Sequence, residues 1–416
     1  MSNSKHILLF SGWQTCNIGD VGHTPGTLRF LEQYVPAAGV TVYLINANEA
    51  VLSMLQGRFR NVEFIVAESQ EHCDENGLFT HPRLTSAFEE CDLVIQNSGM
   101  HYNQFYGLKP WLLRACMRAN KPFGIYGQSF DGFAEEGRDE LVDWLSQSAF
   151  IFCRDRLSLN YLKECGVHAP VMDFGPDGCF GIDVMNRSQG QAYLSENHLE
   201  AGTFLSVTLR SNSPNLHAGA ASVLNPKVIS ESDRLENERW SAALRQVIID
   251  WVETTGKPVL LAPEVDKEIG NAHTMLLERL PDAIREHVVW RDSFWTVEEA
   301  AAVYSQAAAL VSMEPHSCII ALANKVPAIH YYSRKHGVKA TMFADIGLKP
   351  WLHDIDAVEP NVVSACLQQI IHDPALACAQ VEGALAQVET AAARTGDTIR
   401  DVLDLPLNHA QETVLT

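Results

Sequence analysis

Short apolar runs, each of strand length and several of them followed by an amphipathic stretch, recur along most of the chain. Runs in which nearly every position is apolar are typical of parallel strands that are buried on both faces of a sheet. Because parallel strands need a crossover connection, usually a helix, this alternation predicts right-handed β-α-β units and a doubly wound sheet. The strands predicted in the first part of the chain cover residues 6–10, 40–45, 62–66, 92–95, 122–126 and 149–153.

A second series of strands follows a polar segment at residues 186–202. A chain of 416 residues is longer than one hydrophobic core usually organises, so two domains are expected. We therefore predict an α/β fold with one Rossmann-like domain over residues 1–185, a second over 186–358 and a helical tail over 359–416. Residues 210–233, rich in Ser, Asn and Pro, are predicted to form a long loop over a site. The strands predicted in the second series cover residues 204–209, 259–262, 287–290, 308–312 and 328–331.

The charge and the cysteine content exclude several classes of partner. The formal net charge of −20 argues against nucleic acid, because neutralising its phosphates needs a basic face. A small anionic ligand remains compatible, since a few local cations and helix N-termini suffice to bind it. The ten cysteines form no Cys-x-x-Cys pair, so neither a zinc site nor a redox motif is predicted. No other metal and no cofactor is expected. Without a transmembrane-length run or a signal-peptide core, the sequence predicts a cytoplasmic protein and leaves a homo-oligomer open.

The residues that follow each predicted strand are the first site candidates, because ligands of doubly wound sheets bind at the carboxyl ends of the strands. After the first strand, residues 11–20 lead into a helix predicted near Thr27. The glycines of this loop allow close backbone approach to a ligand, and the helix N-terminus favours an anion. Asn17 and Asp20 are predicted to hydrogen-bond sugar hydroxyls. The alternative is that they shape the turn or cap the helix.

Equivalent strand ends of the first domain carry Gly99 and Gln128, which we predict to line the site, whereas His101 is interpreted as an ordinary loop histidine. Arg154 directly follows another predicted strand and is oriented either toward an anionic ligand or toward a neighbouring acid in an ion pair. Asp177, in a Gly-Pro-Asp-Gly turn, is either a turn residue or a carboxylate that faces the ligand.

The second domain contains the strongest motif. Residues 312–317 end a predicted strand and begin an apolar helix at a proline, so the free N–H groups of the helix end are available to an anion. Glu314, His316 and Ser317 surround this helix end, and a histidine there can donate a proton to a reacting group. The alternative for Glu314 is a helix-dipole partner, and for Ser317 it is a cap. Arg210 ends the first strand of this domain, where it is suited to bidentate binding of a phosphate or carboxylate. The alternative is a surface arginine at the start of a loop.

A local cluster of cations follows the last central strand, at residues 334–339. Arg334 and Lys339 in this segment are predicted to bind phosphate oxygens. A solvated basic loop is the alternative interpretation.

The order and spacing of these motifs resembles the polysaccharide pyruvyl transferase family over residues 5–350. The resemblance implies a GT-B-like fold, with the acceptor on the first domain and the donor on the second. It also implies transfer from phosphoenolpyruvate to sugar hydroxyls, giving a pyruvate ketal without metal. The motifs that carry it are Asn17-Ile18-Gly19-Asp20, Arg154-Asp155 with Ser158 and Leu162 before Gly166-Val167, Pro176-Asp177, Leu209-Arg210, and His316-Ser317 with residues 321–327.

The mechanism implied by the resemblance begins when a general acid protonates the methylene carbon of phosphoenolpyruvate. A sugar hydroxyl then attacks the oxocarbenium-like centre, phosphate leaves, and a second hydroxyl closes the ketal. Cations must hold the carboxylate and the phosphate while a positioned acid moves protons. His316 matches the family's histidine and Arg210 its strand-end arginine, and with Glu314 they are the predicted catalytic residues.

One position departs from the family pattern, which commonly has Arg-Leu-His where this chain has Glu314-Pro315-His316. The exchange inverts the local charge and disfavours a phosphate or carboxylate. Either the other cations named above supply the missing charge, or this chain uses another donor. In this feature the chain resembles nucleotide-sugar glycosyltransferases, in which a carboxylate at the start of a helix binds a ribose. The alternatives to pyruvyl transfer are therefore a GT-B glycosyltransferase and a non-catalytic glycan- or metabolite-binding relative.

Overall fold

The structure is a computed structural model that describes residues 5–67, 79–103, 111–213 and 229–406. The chain folds into two compact units. The first unit comprises Met1–Trp13, Gly22–Asp183 and Val388–Thr416, and the second comprises Gln14–Val21 and Val184–Gln387. Within the described residues, no helix combines the length and the apolar character that crossing a membrane requires.

The first unit contains a parallel sheet of seven strands in the order β3-β2-β1-β4-β5-β6-β7. Alternate residues of its central strand belong to different core clusters, since Leu8 and Phe10 pack in one and Ile7 and Leu9 in the other. The strand is therefore buried on both faces, as its unbroken apolar sequence predicts. The strands are β1 (His6–Ser11), β2 (Gly39–Ile45), β3 (Glu63–Ala67), β4 (Leu93–Gln96), β5 (Phe123–Gln128), β6 (Phe150–Cys153) and β7 (Met172–Phe174).

The second unit contains a parallel sheet of six strands in the order β10-β9-β8-β11-β12-β13. The order of chain entry reverses beside β8, which pairs with β9 on one side and β11 on the other. Such a reversal is the point at which open α/β sheets bind ligands. The strands are β8 (Leu205–Thr208), β9 (Val259–Leu261), β10 (Val288–Trp290), β11 (Ala309–Ser312), β12 (Ala328–Tyr332) and β13 (Leu352–Asp354).

Helices follow most of the strands in both units, which gives the alternation that the sequence predicts. The α/β class with two Rossmann-like sheets is confirmed. The helices are α1 (Ile18–Tyr34), α2 (Glu49–Arg58), α3 (Pro82–Glu90), α4 (Trp111–Ala119), α5 (Arg138–Ser146), α6 (Arg156–Glu164), α7 (Arg187–Glu196), α8 (Glu231–Thr255), α9 (Glu268–Met275), α10 (Asp282–Arg285), α11 (Val297–Tyr304), α12 (Pro315–Ala323), α13 (Met342–Asp345), α14 (Pro360–His372) and α15 (Pro374–Val402).

Three sequence predictions of local structure were wrong. Helix α1 begins at Ile18 and not near Thr27, because tertiary packing overrides the low helix propensity of its glycines and of Pro25. Strand β13 was missed, since its three residues, with His353 at the centre, form no apolar run. The predicted loop at 210–233 ends earlier, because α8 begins at Glu231 with a capping box from Ser230; residues 214–228 of that loop lie outside the described residues.

The C-terminal helices contribute to both units. Helix α14 and the start of α15 belong to the second unit, and the first unit resumes at Val388, within α15. Ala392, Ile399 and Leu403 then pack in a core cluster of the first unit. These units describe how the chain packs and not what each part does, so the predicted functional division at residues 185 and 358 stays a prediction.

A buried ion pair in the second unit links the residue after β10 to α11, and a side chain of α7 adds a hydrogen bond to it. The Arg291 guanidinium binds the Glu299 carboxylate through two hydrogen bonds of 2.9 and 3.1 Å, and Gln189 Nε2 donates to the same carboxylate at 3.0 Å. The guanidinium also lies 4.6 Å from the ring centroids of Tyr193 and Trp295. Removing one partner of such a pair leaves a charge buried without compensation.

We expect Arg291→Met to lower the free energy of unfolding by about 3 kcal/mol or more, because the Glu299 carboxylate stays buried. The matched control is Arg234→Met, since Arg234 and Glu231 form an exposed pair at 4.0 Å, whose loss should cost about 1 kcal/mol or less. Denaturant unfolding followed by tryptophan fluorescence measures both. Equal losses in the two variants would contradict a structural role for the buried pair.

Candidate functional site

The turn between β11 and α12 is fixed by Ser312. Its hydroxyl accepts a hydrogen bond from the Glu314 N–H at 2.9 Å and donates to the Glu314 carbonyl oxygen at 2.7 Å. Glu314 has the extended backbone of an N-cap, yet its side chain makes no capping hydrogen bond. Pro315 starts the helix, as its fixed backbone angle favours. His316 and Ser317 are consequently buried in the first turn of α12.

Glu264, in the segment after β9, supplies the acceptor for this helix end. Its carboxylate is 0% exposed, and its Oε2 accepts the Ser317 N–H at 2.6 Å. Its Oε1 lies 3.0 Å from His316 Nδ1. A carboxylate at a helix N-terminus satisfies N–H groups that have no partner within the helix and interacts favourably with the helix dipole. Glu264 therefore fixes both the start of α12 and the orientation of the His316 ring.

Burial, followed by the negative charge of Glu314, raises the pKa of Glu264 to about 8. The hydrogen bond from the Ser317 N–H and the charge of Lys339 oppose this rise. Near neutral pH the Glu264–His316 pair therefore holds one proton more than an ordinary carboxylate with a neutral imidazole. That proton lies on the carboxylate or on Nδ1, and in either arrangement Nε2 of His316 carries a hydrogen. When Nε2 gives up this hydrogen, Nδ1 keeps or receives the shared proton.

The inverted charge at Glu314 is neutralised within the second unit. Arg210 Nη1 lies 2.7 Å from Glu314 Oε2, and the carboxylate is buried. Burial alone would raise the pKa of Glu314, but the charges of Arg210, Lys339 and Lys267 outweigh it and hold the pKa below its usual value. Glu314 is thus a stable anion among several cations. The two predicted catalytic residues Arg210 and Glu314 contact each other directly.

The segment after β8 that carries Arg210 is tied to the start of α9. Lys267 Nζ donates to the carbonyl oxygens of Ser211 and Ser213 at 3.0 and 2.7 Å. The Glu268 carboxylate accepts the Ser211 N–H and hydroxyl, both at 2.9 Å. These hydrogen bonds fix the backbone from which the Arg210 side chain extends. We use the name strand-end cluster for Arg210, Glu264, Lys267, Glu314, His316 and Lys339.

The Asn-Ile-Gly-Asp motif lies beside this cluster. Asn17 Oδ1 accepts the Gly19 N–H at 2.8 Å, and the Ile18 N–H donates to the Glu264 carbonyl oxygen at 3.0 Å. A Cβ on Gly19 would lie 2.1 Å from His316 Nδ1, so only glycine allows this approach. The close approach predicted for the loop glycines is therefore made here to a histidine of the chain itself. Asp20 accepts a hydrogen bond from Gln14.

The capping alternative describes the observed hydrogen bond of Asn17 at the start of α1, and its predicted sugar-binding role stays a prediction. The sugar-binding role predicted for Asp20, which accepts a hydrogen bond from Gln14, also stays a prediction. Neither interaction identifies a ligand.

In the first unit, Gln128 fixes the loop that carries His101. Gln128 is buried, its Oε1 accepts the His101 N–H at 3.0 Å, and its Nε2 lies 2.7 Å from His101 Nδ1. Gly99 has a φ of +153°, and a Cβ there would lie 2.6 Å from the His101 ring. Burial lowers the pKa of His101 to about 3, and the charges of His23 and Arg154 add to this, so the ring is neutral. Gly99 and Gln128 hold a neutral histidine, and their ligand-binding role stays a prediction.

Arg154 makes the ion pair that was its alternative interpretation. It is 2% exposed, its Nη1 lies 2.5 Å from Asp177 Oδ2, and its Nε donates to Ser129 Oγ at 2.8 Å. The other Asp177 oxygen accepts the Cys179 N–H at 2.8 Å and lies 3.4 Å from His23 Nε2. Arg154 and Asp177 are brought together in the first unit, and direct ligand contact by either stays a prediction.

Of the three cations predicted in the second unit, Arg334 is the one that lies outside the strand-end cluster. Its side chain is 77% exposed and pairs with Asp354 at 2.8 Å, which fits the solvated-loop alternative. Lys339 does act on the cluster, through its charge on Glu264 and Glu314. Sequence reasoning missed Glu264 and Lys267, although both follow β9 and the strand-end rule applies to them equally.

Proteins of known structure share this fold over nearly their whole length. S. aureus MnaA, solved with UDP, is 13% identical with a TM-score of 0.62, covering 97% of this chain and 98% of its own. HepE from Anabaena, solved with UDP-glucose, is 13% identical with a TM-score of 0.58, covering 96% and 99%. The UDP-GlcNAc 2-epimerase from Neisseria meningitidis, bound to UDP-GlcNAc, is 11% identical with a TM-score of 0.57, covering 95% and 100%. At this identity the likeness shows the fold alone, and the predicted GT-B-like class is confirmed.

The family follows from the sequence comparison. The family model for polysaccharide pyruvyl transferase matches residues 17–335, which is more than three quarters of the 416 residues. The chain therefore belongs to the polysaccharide pyruvyl transferase family, and this membership supports a sugar-modifying transferase as its class. The comparison with curated proteins gives no match.

We expect Gly19→Ala to lower the free energy of unfolding by about 1–3 kcal/mol, although alanine is the better helix former. The added methyl meets the His316 side chain at 2.1 to 2.6 Å, and the ring must move away from Glu264. Gly270→Ala in α9 is the matched control, because its Cβ meets nothing within 4 Å. Denaturant unfolding measures both, and a Gly19 variant as stable as the control would show that the close approach is readily relieved.

Proposed function

We propose that this protein transfers a pyruvyl group from phosphoenolpyruvate to hydroxyls of a sugar or glycan precursor. The observation that carries the proposal is the buried contact between Glu264 and His316 at the N-terminus of α12. Burial raises the pKa of Glu264 to about 8, which favours a proton on this pair near neutral pH. Protonation of the donor's methylene carbon is the step for which such an acid is needed. Membership of the polysaccharide pyruvyl transferase family supports the same reaction.

The charge of the strand-end cluster is compatible with an anionic donor. The cluster contains three cations, Arg210, Lys267 and Lys339, and the carboxylate of Glu314. Glu264 adds no negative charge below about pH 8, because it is then protonated. Adding the buried Glu268 beside Lys267 leaves three positive and two negative groups, a net charge of +1. The N–H groups at the start of α12 contribute further positive potential. A phosphate or carboxylate therefore meets attraction here despite the glutamate at position 314.

In the proposed reaction, His316 Nε2 gives its proton to the methylene carbon of the donor. The proton shared with Glu264 then lies on Nδ1, so the ring ends as a neutral imidazole beside a carboxylate. A sugar hydroxyl attacks the cationic carbon and loses its proton, phosphate leaves with its oxygen, and a second hydroxyl closes the ketal. His316 is regenerated by taking up one of the two hydroxyl protons, and the other leaves on the phosphate as hydrogen phosphate. Arg210 and Lys339 stabilise the negative charge on the departing phosphate.

A nucleotide-sugar transferase is the second candidate. The buried Glu314 carboxylate at the start of α12 is the observation that favours it, because a carboxylate there is suited to the hydroxyls of a ribose. The related fold of MnaA and HepE, both solved with uridine nucleotides, is compatible with this candidate. The Glu264–His316 proton favours the first candidate, since it matches the protonation that an enol ester requires.

We expect phosphoenolpyruvate, and not UDP, to raise the thermal unfolding temperature of the protein. We also expect phosphate release from phosphoenolpyruvate to require a sugar with two neighbouring free hydroxyls. In D2O the product methyl should carry one deuterium, since the transferred proton comes from an exchangeable group. His316→Gln is the control and should release phosphate at least about 100-fold more slowly. Stabilisation by UDP alone, with no phosphate release from phosphoenolpyruvate, would contradict the proposed pyruvyl transfer.

The pH dependence tests the role of Glu264. The acid form of the pair is lost as pH rises through its pKa, so kcat/KM should fall above about pH 8. In Glu264→Gln, the amide can still donate to Nδ1 and accept from Ser317, but it cannot deliver a proton. We expect kcat to drop about 100-fold or more and the alkaline limb to change.

Glu268→Gln is the matched control for this test, because it replaces another buried carboxylate that contacts Ser211 and not His316. Its profile should keep the alkaline limb near pH 8. Wild-type kinetics in Glu264→Gln would remove Glu264 from the mechanism.

A further inference from the structure

His336 lies in the segment that the sequence identified by its cations, between β12 and Lys339. Both of its ring nitrogens are buried, and neither has a hydrogen-bond partner among the described residues. A neutral imidazole has one N–H donor and one acceptor nitrogen. Leaving buried polar groups without partners is unfavourable, so a side chain placed in this way requires an explanation.

The backbone and its neighbours hold His336 firmly. The His336 N–H donates to the Ser333 carbonyl oxygen at 3.0 Å, and its ring packs edge-on against Trp240 with centroids 5.1 Å apart. Asp356 accepts the Ser333 hydroxyl at 2.6 Å and the Trp240 indole N–H at 2.8 Å. Gly337, with a φ of +87°, ends the turn. One carboxylate therefore fixes both the turn and the aromatic ring that supports the histidine.

Three cations of the strand-end cluster act electrostatically on His336. Burial lowers the pKa of His336 well below its usual value, and the charges of Arg210, Lys339 and Lys267, with His330, lower it further. The same three cations act on Glu314. His330 is itself neutral, because burial lowers its pKa to about 3 and its Nδ1 lies 2.9 Å from the Ser312 carbonyl oxygen. His336 is thus a neutral ring that shares its cations with Glu314.

We infer that His336 binds the ligand of the strand-end cluster, donating its ring N–H to an oxygen of the phosphate group that Arg210, Lys267 and Lys339 attract. A neutral donor suits this position, because a positively charged imidazolium would be repelled by the three cations. Phosphoenolpyruvate and a nucleoside diphosphate share the phosphate chemistry. The inference rests on the proposed function only for the identity of the phosphate carrier. Within residues 334–339, His336 then takes the binding role that the sequence suggested for Arg334.

The test measures affinity by calorimetry for phosphoenolpyruvate, UDP and inorganic phosphate in full-length protein. His336→Phe keeps the packing on Trp240 and removes the donor, so the affinity for the anions that bind should fall roughly 10- to 100-fold. His336→Gln retains an amide N–H and should stay within about threefold of the wild type. His273→Phe is the matched control, because His273 also packs on a tryptophan, at 4.4 Å from Trp290, and should bind as the wild type does.

The outcomes separate this inference from the proposed function. Weaker binding of phosphoenolpyruvate by His336→Phe supports both. Binding of UDP alone overturns the pyruvyl donor, and the UDP affinities of the variants then decide the role of His336. Unchanged affinity in His336→Phe, or a wild-type protein that binds none of the three anions, overturns the inference.

A second measurement does not depend on the folding of the phenylalanine variant. In wild-type protein with 15N-labelled histidine, the His336 side-chain resonance, assigned with His336→Gln, should shift when the bound anion is added, while that of His273 should not. An unshifted His336 resonance at saturating anion would equally overturn the inference.

Discussion

The Glu264 carboxylate is the interaction on which the candidate site depends. It is removed from water, accepts the Ser317 N–H at the start of α12, and contacts His316 Nδ1. A helix N-terminus stabilises an anion, whereas burial favours the neutral acid, and here the two effects compete on one group. Their balance, with the charge of Glu314, leaves a carboxyl whose pKa is raised to about 8. The same carboxylate also sets the direction of the histidine ring.

The negative charge of Glu314 is balanced by cations from several segments of the second unit. Arg210 pairs with Glu314, and Lys267 and Lys339 add positive charge around it. A single arginine in the turn would provide one cation fixed to α12. This chain instead takes its cations from segments after β8, β9 and β12, which meet because parallel strands present their carboxyl ends at one edge. The inverted residue is therefore compatible with an anionic ligand.

Residues directly after long apolar runs could be located from the sequence, because unbroken apolar strands fix where the sheet edge lies. Arg210, Glu314 and His316 were found in this way. Glu264 was not, although the strand before it was predicted, because the hydrogen bond that gives the glutamate its role comes from α12, more than fifty residues later. The start of α1 was misplaced because local propensity disfavours a helix through Gly19 and Pro25.

The sequence by itself determined the α/β class, the two sheets and the turn that carries Glu314 and His316, because hydrophobic periodicity and strand-end position are local properties. Only the tertiary structure decided which charges meet. It paired Arg154 with Asp177 and Arg210 with Glu314, left Arg334 exposed to solvent, and buried the ring nitrogens of His336. The physical reason is that burial and pairing depend on residues far apart in the chain, and these two quantities set the protonation state and the ligand preference of each group.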